Sequence, residues 1–189
     1  MVWKQYLEKT LIVNKGDRVT ATDPCYDEGS GLELCLPVGE YDCYYDMRDE
    51  GEWGHRIAKC LIIRKGCRFY DLDDVCHHYA GSVGVDAGLC GFFVNKPDYD
   101  DKAWGKFCDD LRKADEEDKK NTGHSYKDVY HTPEGFFTSS GYGDGEYDVS
   151  ILDVNGEVGA MITFIEDKPD EDDEDDEEDY LYDDEDEED

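Results

Sequence analysis

Apolar and polar residues alternate along much of the first 165 residues with the two-residue period of a half-buried β-strand. Short apolar runs at 10–13 and 18–22 flank Lys15-Gly16-Asp17 and predict a first hairpin. Runs at 32–36 and 40–45 follow, separated by Pro37-Val38-Gly39. In the second of them Tyr41, Cys43 and Tyr45 alternate with Asp42 and Tyr44. Residues 56–63 predict another strand, and 82–85 and 91–94 bracket a glycine-rich turn. The strongest local signal comes last. Tyr147, Val149 and Ile151 alternate with polar residues, and Val158, Ala160, Ile162 and Phe164 do so again. Asn155-Gly156 stands between them, the pair that tolerates the two positive φ angles of a type I′ hairpin.

One segment has the helical period instead. Trp104, Phe107, Cys108 and Leu111 fall on one helical face. Asp100 and Asp101 precede them, where a carboxylate caps free N–H groups and meets the positive end of the helix dipole. Residues 114–127 are polar and charged and read as a long surface loop. No internal repeat appears. The pattern predicts a β-rich α+β domain over residues 1–165, an antiparallel sheet or sandwich carrying one main helix.

Charge changes the picture at the C terminus. The chain has 51 acidic and 19 basic residues, a net charge of −32. Residues 166–189 hold nineteen acids against Lys168 alone, or −18, and residues 1–165 keep thirty-two acids against eighteen bases, or −14. After Pro169 only Tyr180, Leu181 and Tyr182 interrupt the carboxylates. Nothing apolar there offsets like-charge repulsion and the entropy of ordering, so residues 166–189 are expected to form a disordered polyanionic tail.

Eight cysteines invite a disulfide framework, and their even number allows one. Cys25, Cys35, Cys43, Cys60, Cys67, Cys76, Cys90 and Cys108 are scattered, with no CxxC pair, and several occupy apolar strand or helix positions that suit a free thiol. The first six residues form no apolar run of signal-peptide length, and no stretch approaches a membrane span. Reduced thiols in a cytoplasmic protein without membrane contact are expected.

The sequence offers little catalytic chemistry. Gly141, Gly143 and Gly145 suggest a nucleotide fingerprint, but Glu146 stands where GxGxxG needs its third glycine and a strand follows where a helix is required. A tight turn entering the last hairpin explains these glycines. Ser139-Ser140-Gly141 lacks the first glycine of GxSxG, although a triad with distant His124 or His131 is a spatial matter. Cys76, His77, His78 and Cys90 are soft ligands at a spacing that matches no common zinc arrangement, and the EF-hand pattern is absent. No metal and no cofactor are expected.

Three aspartates stand in glycine- or proline-rich turns: Asp23 before Pro24, Asp86 between Val85 and Ala87, and Asp144 between Gly143 and Gly145. Such aspartates ordinarily satisfy nearby backbone amides. The alternative is a convergent acidic pocket of Asp23, Asp86 and Asp144 for a cation or a basic group, lined by Trp53 and Tyr142. A tryptophan in the core is the competing assignment for Trp53.

Four motifs occur in order: Asp23-Pro24-Cys25-Tyr26, Asp49-Glu50-Gly51-Glu52-Trp53-Gly54, Gly84-Val85-Asp86-Ala87-Gly88, and Ser139-Ser140-Gly141-Tyr142-Gly143-Asp144-Gly145-Glu146-Tyr147. In these the chain resembles a bacterial and phage-associated family known only as a domain of unknown function, over roughly residues 17–165. The resemblance implies a microbial intracellular setting and a fold built around these turns, and it carries no catalytic residue.

The functional expectation follows from charge. A chain acidic in both parts is repelled by phosphate backbones, which argues against direct nucleic-acid binding. A non-enzymatic interaction protein that occupies a basic surface of a partner protein is expected, as an inhibitor, an immunity protein or a nucleic-acid mimic. The tail run Asp172, Asp173, Glu174, Asp175, Asp176, Glu177, Glu178 and Asp179 is a candidate contact surface. The other readings are a small-ligand or cation-binding domain with a solubilising tail, and an enzyme using Asp23, Asp86 and Asp144.

Overall fold

The computed structural model describes residues 3–27, 30–67, 76–122, 128–154 and 157–167. In chain order they form β1 (Trp3–Val13), β2 (Val19–Thr22), β3 (Leu32–Leu34), β4 (Gly39–Asp49), β5 (His55–Arg64), β6 (Cys76–Val85) and β7 (Leu89–Val94). Helix α1 (Asp101–Thr122), β8 (Val129–His131), β9 (Gly135–Ser139), β10 (Gly145–Val154) and β11 (Glu157–Thr163) follow. The strands make two antiparallel sheets, a six-stranded one in the order β1-β4-β5-β11-β10-β6 and a five-stranded one in the order β3-β2-β7-β9-β8. Of the sheet or sandwich expected, the described residues form a β-rich sandwich with one α-helix.

The alternation read in the sequence builds the core between the sheets. Leu11, Val13, Tyr41, Cys43, Ile57, Cys60, Ile62, Val149, Ala160 and Ile162 come from the larger sheet. They meet Val19, Ala21, Cys90, Phe92 and Phe136 from the smaller one. The opposite face of the smaller sheet carries Phe93, Tyr130 and Phe137, and α1 covers it with Trp104, Phe107, Cys108 and Leu111. Residues of one strand thus serve two cores, because successive side chains point to opposite faces.

Two expectations are corrected. The runs at 10–13 and 18–22 form no hairpin: β1 pairs with β4, while β2 pairs with β3 and β7 in the facing sheet. The Asn14–Asp17 turn is real, with Asp17 N–H on the Asn14 carbonyl at 3.2 Å. Asn95, at the end of β7, redirects the chain. Its side chain accepts from Arg18 N–H at 2.9 Å and donates to Asp17 at 2.8 Å, which docks the corner on β7. The second correction concerns residues 114–127, since α1 runs on to Thr122. A polar segment without an apolar face extends a helix once a packed turn has nucleated it. Ion pairs Lys106–Asp110, Arg112–Asp109 and Lys113–Asp110 line its exposed side. The helix start matches its sequence, with Asp100 Oδ1 accepting from Ala103 N–H at 2.8 Å.

The last hairpin pairs as read, from Asp148 opposite Thr163 to Val154 opposite Glu157. Asn155-Gly156 itself lies outside the described residues, as do the tail from Lys168 and the part of the 114–127 segment beyond Thr122. Cys25, Cys35, Cys43, Cys60, Cys67, Cys90 and Cys108 carry free thiols. Burial pushes the thiols of Cys43, to about 12, and of Cys60 and Cys90 far up, so these three behave as small core hydrophobes. Among the described residues no helix is long and apolar enough to cross a membrane.

Candidate functional site

Asp23 ends β2 and is fully buried. Pro24 restricts the residue before it to extended backbone, which aims the aspartate across the end of the sandwich. One carboxylate oxygen accepts from Cys25 N–H at 2.8 Å, and the other accepts from Asp86 N–H at 2.8 Å and Ala87 N–H at 2.7 Å. Three orphan amides in two distant turns are thereby satisfied by one side chain. The carboxylate beside Cys25 also shapes that thiol, which burial first, and then the Asp23 hydrogen bond, push up to about 12. The Tyr26 hydroxyl rises to about 12 through burial and its hydrogen bond to Asp86.

The turn from Val85 to Gly88 is the next link. Gly88 carbonyl accepts from Ser140 N–H at 3.1 Å, and a Cβ on Gly88 would stand 3.9 Å from Gly143 Cα. The Ser140–Gly143 turn closes on itself, with Gly143 N–H on Ser140 carbonyl at 2.9 Å and Ser140 Oγ on Gly143 carbonyl at 2.7 Å. Tyr147 hydroxyl donates to the same two carbonyls at 3.0 and 2.7 Å. Gly141 has φ +57°, and a side chain there would press Phe164 Cβ at 3.0 Å. This is a turn that enters β10, as its glycines suggest.

The third link is the connection from β4 to β5. Glu50 N–H bonds Gly54 carbonyl at 2.9 Å, and Trp53 is the last residue of a short 3-10 turn over Gly51–Trp53, flanked by Glu50 and Gly54. Tyr142 hydroxyl donates to Glu50 Oε2 at 2.9 Å. The Trp53 and Tyr142 rings meet edge to face, 6.2 Å apart and at 78°. Arg56 Nε donates to the Trp53 carbonyl at 3.0 Å. Trp53 is 67% exposed, which overturns the core assignment for it. All four sequence motifs therefore gather at one end of the sandwich.

The root of the acidic tail lies at the same end. Phe164 and Ile165 donate their N–H groups to the Ala58 carbonyl at 2.8 and 3.0 Å, and Ala58 is the residue that β5 bulges out opposite β4. Arg48 and Lys59 then hold Asp167, while Arg48 also reaches buried Asp46 at 2.9 Å. Ordered contacts thus run to Asp167, two residues past the expected boundary of the body. Sequence reasoning missed this clamp, although a lysine inside the apolar run Ile57–Ile63 was the available signal. Partial burial opposes ionisation of Asp167, but Lys59 and Arg48 outweigh it and hold its pKa below 3.8. A depressed carboxylate contributes stability above the unfolded-state pKa and loses it as pH falls through the folded-state value. Asp167→Asn should thus lower the urea midpoint by a constant amount from pH 5 to 8. The gap to the parent should shrink below pH ~4. Equal gaps at pH 7 and 3 would show that the clamp contributes nothing.

The candidate pocket is split by the structure. Trp53 and Tyr142 touch, Asp23 is enclosed and bonded to backbone, and Asp86 and Asp144 are exposed in adjoining turns. Asp23 organises the end without facing solvent. The contact run 172–179 lies outside the described residues. Among the described residues no three His, Cys, Asp or Glu side chains are grouped to hold a metal ion. His77 and His78 lie in β6, opposite Leu152 and Ile151, and Cys90 is buried in β7 of the other sheet. A separate half-open cavity of about 420 Å³ lies between α1 and the β8–β9 turn, floored by Tyr99, Phe107, Leu111 and Tyr130 and edged by Lys106 and Glu134. Compared with family models, curated proteins and solved structures, the chain matches none of them.

Proposed function

We propose that the protein is a non-enzymatic binding protein that occupies a basic surface of a partner protein, in the manner of an inhibitor, an immunity protein or a nucleic-acid mimic. One observation carries this reading. The four turn motifs converge on a single end, and residues 164–167, which lead into the polyanionic segment, are held beside them. With −14 on residues 1–165 and −18 after residue 165, the chain as a whole attracts cations and repels phosphates. The free thiols support a reducing, cytoplasmic setting.

The experiment is capture of partners from a microbial lysate with elution by salt, followed by reconstitution of the purified pair. Binding should weaken steeply with salt. Removal of residues 169–189, which keeps the Asp167 clamp, should slow association ~10-fold at low salt and flatten its salt dependence. Dissociation should change little, because a charged arm that steers the encounter need not hold the docked complex. A partner without a basic surface, or association indifferent to salt, overturns the proposal. The cavity beside α1 favours a second reading, a small-ligand domain with a solubilising tail. A metabolite that raises the melting temperature of the parent, with the shift abolished in Phe107→Ala, would support it.

A further inference from the structure

Trp53 and Tyr142 are large, in contact with each other, and 67% and 55% exposed. A turn between two strands has no need of an indole in water, and contiguous exposed aromatic surface marks a binding face. The pair is also held in place. Glu50 fixes the Tyr142 hydroxyl, Arg56 holds the Trp53 carbonyl, and Gly51, Gly54 and Gly143 supply the positive φ angles that set both turns. Rings already ordered in the free protein lose little freedom on binding.

The charge around the rings selects the occupant. Asp49, Glu52 and Asp144 are exposed at the turns of the two rings and Asp86 in the adjoining turn, and residues 164–165, which lead into the acidic tail, lie beside Gly141. Arg56, which bonds the Trp53 carbonyl, keeps its positive charge, and these carboxylates outnumber it. A second copy of this chain would bring carboxylates against carboxylates, and an apolar ligand would leave them unpaired. A guanidinium suits both features at once. It is flat and weakly hydrated, stacks on indole and phenol faces, and forks onto carboxylates, whereas an ammonium gains chiefly point-charge attraction.

We propose that Trp53 and Tyr142, with the carboxylates of their turns, form the docking site for an arginine side chain presented by the basic partner. This rests on the reading that the partner is a basic protein, and it places the specific contact on the body and not on the tail.

The test uses the full chain with capped octa-arginine and octa-lysine peptides at ~150 mM salt, by calorimetry. The parent should prefer octa-arginine at least fivefold. Trp53→Ala should cut octa-arginine affinity about fivefold and leave octa-lysine affinity within twofold, while Trp53→Phe restores part of the preference. Tyr142→Ala should act in the same direction. Unchanged melting temperatures will show that the exposed substitutions leave the fold intact. If the ratio of the two affinities is the same in the parent and in Trp53→Ala, the docking site is refuted and charge alone binds the peptides. If neither peptide binds the parent, the basic-partner reading falls as well.

Discussion

Truncating Phe137 to Ala is expected to lower the unfolding free energy by about 4 kcal/mol, the largest single effect anticipated outside the loop end. Phe137 is fully buried in β9 and is the hub between sheet and helix. Its ring stacks on Phe93 at 5.6 Å and Tyr130 at 5.5 Å, and meets Phe107 of α1 at 5.7 Å. It lies over Gly91 on the neighbouring strand, where an added Cβ would come within 2.4 Å of the Phe137 Cβ. That glycine lets β7 approach the Phe136–Phe137 backbone of β9 closely. No neighbour can collapse into the space, because the surrounding aromatics are themselves fixed by the sheet. Urea unfolding followed by circular dichroism should show both the lower midpoint and a loss of helical signal, since α1 keeps few other anchors. Phe137→Leu should cost about 1 kcal/mol by conserving most of the volume. A change below ~1 kcal/mol for Phe137→Ala would show that α1 does not depend on this contact.

Replacing Asp23 with Ala is expected to cost about 3 kcal/mol, from a different cause. The side chain is enclosed and accepts three backbone N–H groups, two of them from a turn more than sixty residues away. Its removal leaves three part-buried amides without that acceptor, each worth up to roughly 1–3 kcal/mol when stranded. Asp23→Asn should be milder, because its one oxygen can still serve Asp86 and Ala87 while its NH2 opposes the Cys25 N–H. Hydrogen exchange separates this from general weakening. The amides of Asp86, Ala87 and Ser140 should lose protection far more than those of Leu61 to Ile63 in β5. Uniform loss of protection, or an unchanged midpoint, would rule out the turn-tying role. The same variant bears on binding. If Asp23 positions the loop end, octa-arginine affinity should fall together with that local protection.

Much of the architecture could be read from residue pattern. Alternation places Tyr41, Cys43, Val149, Ala160 and Ile162 on the core face, and it does so because the strand period is two whatever the strand pairs with. The helix at Trp104–Leu111 and its Asp100 cap are equally local, since capping and the helical period involve only neighbouring residues. Pairing was a different matter. The 10–13 and 18–22 runs look like a hairpin because a turn joins them, yet the turn meets Asn95 and the two runs go to opposite sheets. The polar half of α1 has no periodic signal of its own, and its helicity is inherited from the packed turns before it.

The loop end divides along the same line. The four turns are local features, because glycine and proline at set positions dictate backbone conformation, and the acidity of both parts of the chain is a matter of composition. That the turns meet is a product of long-range packing. Asp23 lies 63 residues from the Asp86 amide it satisfies, and Glu50 lies 92 residues from the hydroxyl it accepts, so no local rule links them. The structure likewise decided that Trp53 faces water while Lys59 is buried against Asp167. Hydrophobicity ranks residues by preference for the interior, but a strand end or a turn assigns each side chain to a surface through long-range closure. That closure puts the aromatic pair and the root of the tail on one face.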